Sequence, residues 1–261
     1  FTGVCAQHVE TFGSEENILK GKSEIVKSSA KKIVCGGELK EKIAALSLDV
    51  LSMSEKEKCL YADYAALISD LKLKPHATSF TLCLPDTDAI AVELPLLGKH
   101  SAENVALAAL LAREMGLTGE EIARGIEGIR PVPHRLQLIE GDGVYILDDS
   151  YNANPRGARE AVEALKRFPA RKIVVTPGLV ETGILDEKLN GELGAALVGL
   201  DEVILVGETL VGAVIAGYLE AGGEEEKIVV LPTLDAAQTR LSETLSAGDC
   251  VLFLNDLPDA W

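Results

Sequence analysis

The strongest chemical signal in this 261-residue chain is the run Asp148-Asp-Ser-Tyr-Asn-Ala-Asn-Pro155. It sets two carboxylates, a hydroxyl, a phenol and two amides in one short loop. The loop follows the apolar run Val144–Leu147 and precedes a helical pattern. That puts it at the carboxyl end of a strand, where open α/β sheets bind their ligands. Asn154 suits a helix N-cap and Pro155 the first turn. Capping accounts for those two residues only. The carboxylates, Ser150, Tyr151 and Asn152 point to a bound molecule.

Lys22 is a second candidate. A helix is predicted over about 14–29, and on it Lys22 lies three or four residues from Leu19, Ile18, Ile25 and Val26. The spacing puts it on the apolar stripe. A lysine there loses solvation, which favours the neutral amine, the form that reacts with carbon dioxide. The plainer alternative is a side chain that reaches solvent or pairs with Glu24. His8 and His100 are single histidines that packing or capping would also explain. Gly21-Lys-Ser23 looks like the tail of a phosphate loop, but Glu16 stands where that loop needs glycine.

The elements that must hold these residues are clearest in the second half. The runs 144–147, 172–176, 202–206, 227–231 and 250–254 are rich in Val, Ile and Leu. They alternate with helical patterns near 155–167, 186–198, 209–221 and 233–246, the signature of a parallel sheet covered on both faces. No Gly-x-Gly-x-x-Gly follows the first of these strands, which argues against a dinucleotide. The first half is mixed. A strand at 33–35, a helix at 39–46 and a strand at 50–53 precede three alternating runs at 71–73, 79–84 and 89–94, with Asp86-Thr-Asp88 as a turn. A helix over about 101–115 is apolar on every side and is expected to be buried. Thr118 and Glu121 form a capping box for a helix at about 118–128. Pro131 and Pro133 then mark an inter-domain linker. The expected organisation is α/β, with domains at 1–130 and 131–261.

Composition narrows the function. The formal charge of −16 argues against nucleic-acid binding. It leaves room for a nucleotide held by a few cations, Mg²⁺ and helix N-termini. No stretch of 18 or more apolar residues is present, so no membrane span is expected, and no secretory signal is visible. Five widely spaced cysteines without a Cys-x-x-Cys pair read as free thiols of a cytoplasmic protein. The chain starts at Phe1 without Met, and residues upstream are therefore expected.

Four stretches taken together resemble the Mur ligases, closest to those that add D-alanyl-D-alanine. They are 6–14 with Lys20-Gly-Lys-Ser-Glu-Ile25, Leu94-Pro-Leu-Leu-Gly-Lys-His-Ser-Ala-Glu-Asn104, Pro133-His-Arg-Leu-Gln137 and the 148–155 loop. The resemblance implies the later part of the central, ATP-binding domain over 1–130. It implies a Rossmann-like C-terminal domain with a mainly parallel sheet over 131–261. It implies a cytoplasmic ATP- and Mg²⁺-dependent ligase of peptidoglycan synthesis, whose precursor is a UDP-MurNAc-peptide and whose incoming amine is D-alanyl-D-alanine. ATP would phosphorylate the precursor's carboxylate, and the amine would displace phosphate. By resemblance His8 helps hold Mg²⁺, and Lys22 aligns with a lysine whose carbamate ligates Mg²⁺. Asn104 meets adenine, with His100 in the same element. Arg135 and Asp149 reach phosphates and ribose, and Tyr151, Asn152 and Asn154 line the cleft. Three features depart from the pattern. Ser101 stands where an asparagine is expected, which weakens the adenine assignment. No phosphate loop occurs in these residues, so the chain alone is expected to be inactive. Val251-Leu-Phe-Leu-Asn-Asp-Leu-Pro258 stands where a strand followed by Lys-Gly-Ser is usual. Another amide ligase of the superfamily, or a non-catalytic binding module, is therefore the alternative.

Overall fold

The computed structural model describes all residues except 6–8, 25–31, 38, 42–58, 152, 153 and 255–261. The chain divides into two compact units. One comprises Phe1–Ala6, Phe12–Pro95 and Lys99–Arg130, the other Gln7–Thr11, Leu96–Gly98 and Pro131–Trp261.

In the second unit the branched apolar runs become the strands β7 (Val144–Asp149), β8 (Lys172–Thr176), β9 (Glu202–Val206), β10 (Ile228–Leu231) and β11 (Cys250–Leu254). Side chains of β8, β9 and β11 are buried almost throughout, as strands covered on both faces require. Helix Pro155–Lys166 packs on β7 and β11, and helix Leu234–Thr244 on β9 and β10. The latter closes a core of Ile173, Val175, Ile204, Val206, Ala237, Leu241 and Val251. With β6 (Gln137–Gly141) at its edge, the six-stranded sheet has the order β10-β9-β8-β11-β7-β6. After β8 the chain steps outward to β10, and β11 then returns between β8 and β7. The order reverses there, which makes the carboxyl end of β7 the place where such a sheet takes a ligand. The sheet is not wholly parallel. β6, which periodicity did not reveal, pairs antiparallel with β7 at the edge. Its half-exposed, mixed residues lack the apolar run that marks its neighbours.

The opposite end of the sheet is tied by charge. Arg171 donates to Glu202, to Asp249 at 3.3 Å and to the Thr244 carbonyl at 3.0 Å, while Arg240 Nε donates to Glu202 at 2.7 Å. Both carboxylates are buried. Arg171→Ala leaves Asp249 without its cation and should lower stability by about 2 kcal/mol, reduced from the fully buried case because Arg171 is a third exposed. Urea unfolding measures this. An unchanged midpoint would show that the cluster is only a solvated surface.

In the first unit, β1 (Ile33–Gly36) and β2 (Cys59–Ala62) pair in parallel, and β3 (Ile68–Leu73), β4 (Thr78–Leu82) and β5 (Ile90–Leu94) form an antiparallel sheet. Helix Lys99–Glu114 packs on β1, β3 and β4. It buries Ala102, Val105, Ala106, Ala109 and Leu110, yet leaves Leu111 42% exposed, so one side meets solvent despite its composition. The capping box of helix Gly119–Glu127 is present. The expected strand at 50–53 and most of the helix at 39–46 lie outside the described residues. None of the five cysteines forms a disulfide. Burial pushes the Cys35 and Cys250 thiols up to about 12. Among the described residues no helix is long and apolar enough to cross a membrane.

Candidate functional site

β6 builds the site. Its pairing places Gln137 opposite Asp148, so the segment just before β6 runs beside the end of β7. Two residues of that segment, His134 (φ 63°) and Leu136 (φ 47°), adopt left-handed backbone. Such conformations cost about 1–3 kcal/mol each and persist where surrounding contacts over-determine them. Those contacts come from the last two residues of β7, Asp148 and Asp149, and from Ser150 and Tyr151 just after it. Asp148 Oδ2 lies 2.8 Å from His134 Nδ1. Ser150 Oγ donates to Asp148 Oδ1 at 2.6 Å and lies 3.4 Å from the same His134 nitrogen. Asp149 Oδ1 accepts the Leu136 N–H at 2.9 Å, and the Tyr151 N–H donates to the His134 carbonyl at 3.3 Å. Arg135, between the two left-handed residues, lays its guanidinium 4.1 Å from the centre of the Tyr151 ring. Tyr151 as a residue is 60% exposed. Asn154 caps helix Pro155–Lys166 by accepting the Gly157 N–H at 2.8 Å.

Burial raises the Asp149 carboxyl from 3.8 to about 6, and the neighbouring Asp148 adds to the rise. The Leu136 N–H and Arg135 oppose it. A carboxyl raised in the folded state favours folding most below its unfolded value and loses that contribution as pH rises through about 6. Asp149→Asn keeps an acceptor for Leu136 and removes the buried charge. It should therefore be more stable than the parent at pH 8 by about 2 kcal/mol, and nearly equal to it near pH 4. Urea titrations at both values decide this, and a difference independent of pH would show that the carboxylate is well solvated.

The structure brings Arg135, Asp149, Tyr151 and Asn154 together in one unit. His8 and Asn152 lie outside the described residues. Asn104 and His100 belong to the other unit, one turn apart on helix Lys99–Glu114, with Asn104 exposed. Lys22 differs from expectation. It is exposed, because its helix ends there: the Ser23 N–H closes the last turn on Leu19 and Gly21. Ile18, Leu19 and Ser23 take the buried positions. The desolvation that the spacing implied is absent. The sequence marked Asp148 and Ser150 only as members of a polar loop and gave His134 no role; the network that joins the three comes from the pairing of β6 with β7. Glu181 is a further left-handed residue of the second unit. Its φ is 57°, and its carbonyl accepts the Val9 N–H at 3.1 Å.

A switch-point loop with an arginine stacked over it, on a sheet of this order, is the architecture of an α/β ligand-binding domain. Residues 1–112 match the Mur ligase middle domain, and residues 134–255 match the Mur ligase glutamate ligase domain. The chain belongs to the Mur ligase family. It is similar to the UDP-N-acetylmuramoyl-tripeptide–D-alanyl-D-alanine ligase of Escherichia coli K12, with 30% identity over 221 residues, covering 78% of this chain and 46% of the relative. The Bacillus subtilis 168 protein of the same name is 26% identical over 260 residues, 97% of this chain and 54% of its own. The chain thus spans about half the length of the curated relatives it matches. Its fold is that of MurF from Acinetobacter baumannii (TM-score 0.78, 22% identity, 97% of this chain and 55% of that one). MurF from Thermotoga maritima, solved in complex with ADP, is equally similar (TM-score 0.78, 24% identity, 97% and 57%).

Proposed function

We propose that the intact protein is an ATP- and Mg²⁺-dependent ligase that joins D-alanyl-D-alanine to a UDP-MurNAc-peptide in cell-wall synthesis, in the cytoplasm. In this reading 1–130 is the later part of the central domain and 131–261 the C-terminal domain. The observation that carries it is the Arg135–Tyr151 stack beside a partly buried Asp149 at the carboxyl end of β7. A planar cation held over a ring grips phosphate oxygens with little loss of side-chain freedom. The second oxygen of Asp149 is assigned to a ribose hydroxyl, and the exposed Tyr151 face to the wall of the cleft, with Asn152 and Asn154 beside it. Asn104 and His100 are assigned to the adenine side.

ATP would supply the phosphoryl group that activates the precursor's carboxylate, and Mg²⁺ the charge that steadies it. No cluster of three or more His, Cys, Asp or Glu side chains able to hold a metal occurs among the described residues. Mg²⁺ is commonly held by one or two protein groups, phosphates and water. His8 and a carbamylated Lys22 are the groups assigned to it. The protein's share of such chemistry is positioning and charge neutralisation.

The test is ADP binding to this chain, followed by protein NMR. The dissociation constant should be on the order of millimolar, since no phosphate loop contributes, and Arg135→Ala should weaken it about tenfold. Equal affinity of parent and variant would sink the assignment. In the intact enzyme, phosphate release with a panel of amines separates the named reaction from a glutamate-adding relative. Preference for L-glutamate would replace D-alanyl-D-alanine as the substrate.

A further inference from the structure

We propose that His134 is a positioning residue, and that Asp148 and Asp149 together form a clamp that fixes Arg135 for anion binding. For function this rests on the nucleotide reading above; the clamp itself does not. Successive residues of a strand point to opposite sides, so two adjacent acids at the end of β7 can reach two different partners. Asp148 takes the His134 ring at 2.8 Å, and Asp149 takes the Leu136 N–H at 2.9 Å. These partners are the residues on either side of Arg135, and both are held left-handed. Ser150 keeps the Asp148 carboxylate turned toward His134 by donating to its other oxygen at 2.6 Å. The Tyr151 N–H, bonded to the His134 carbonyl at 3.3 Å, ties the stacking ring to the same backbone. Besides the bond from the Arg135 N–H to the Val132 carbonyl at 3.2 Å, the contacts that set where Arg135 leaves the chain, and the ring on which it lies, pass through the acid pair or His134. An unrestrained arginine loses much rotamer freedom when it grips an anion; a clamped one loses that freedom on folding instead.

The side chain of His134 is largely exposed, so its replacement should not unfold the chain. His134→Gly removes the ring while allowing the same φ, and His134→Asn keeps both a tolerance for that φ and a donor for Asp148. The Arg135 Nε–H proton is read by NMR, assigned by its loss in Arg135→Lys. In the parent it should be shifted upfield by the Tyr151 ring, with Tyr151→Leu as the unshifted reference. The shift should vanish in His134→Gly and Asp148→Ala and return in His134→Asn. ADP affinity should fall about tenfold in the first two variants and recover in the third. An unchanged Arg135 resonance in His134→Gly overturns the clamp. If the resonance moves as expected but none of the proteins binds ADP, the clamp stands and the nucleotide reading falls.

Discussion

Gly194→Ala should destabilise the second unit by about 3 kcal/mol or more, as overpacking of a close backbone contact does. Gly194 lies on helix Asp186–Ala196 where that helix crosses helix Val211–Glu220. A methyl group there would sit 2.0 Å from the Val214 carbonyl oxygen and 2.8 Å from the Tyr218 nitrogen. Both are backbone atoms, so no side chain can turn aside, and the helices must part. The same crossing meets a second glycine. A methyl on Gly217 would lie 2.0 Å from the Gly191 carbonyl oxygen. Separating the helices would lift Leu193 and Val214, both buried, off their neighbours. Gly212→Ala is the control: it is on the crossing helix Val211–Glu220, with nothing within 4 Å of the added methyl. That change should be neutral or stabilising by up to about 1 kcal/mol, from helix propensity. Urea unfolding of the three proteins is the measurement. A Gly194→Ala midpoint equal to the parent's would show that the crossing has slack.

Lys22→Ala in the intact enzyme should lower kcat by about 10²–10³-fold, the usual consequence of losing one group aimed at developing charge. The basis is the proposed carbamate at Lys22. The structure leaves Lys22 exposed at a helix end, so its amine is open to carbon dioxide but gains nothing from burial. What would hold the carbamate is then the metal and phosphates of the loaded enzyme. Mass spectrometry of this chain alone should find Lys22 unmodified. In the intact variant, short carboxylates such as acetate should restore part of the rate by standing in for the missing group. Full activity of Lys22→Ala without added carboxylate would remove Lys22 from the mechanism.

Much of the architecture was written locally. The runs 172–176, 202–206 and 250–254 became strands with those bounds. A run of branched apolar residues between turn signals has few other ways to be buried. Asn154 and Thr118 cap the helices their spacing announced, because a cap is a contact within three residues. The turn that starts at Ser150 and the cap at Asn154 followed from their place after an apolar strand, although that strand runs on through Asp148 and Asp149, which the sequence had put in the loop.

Tertiary structure decided the rest. Strand order is set by which faces each helix must cover, so the return of β11 between β8 and β7 has no local sign. β6 is a mixed-polarity edge strand that exists because β7 offers it an unpaired ladder, and only its pairing sets residues 134–136 beside 148–151. The left-handed backbone of His134 and Leu136 is uncommon outside glycine, most of all for Leu136, and is held by contacts from another strand. Lys22 shows the reverse limit. Its spacing promised burial along a continuous stripe, but a stripe ends where its helix does, and the turn at Ser23 placed Lys22 in solvent.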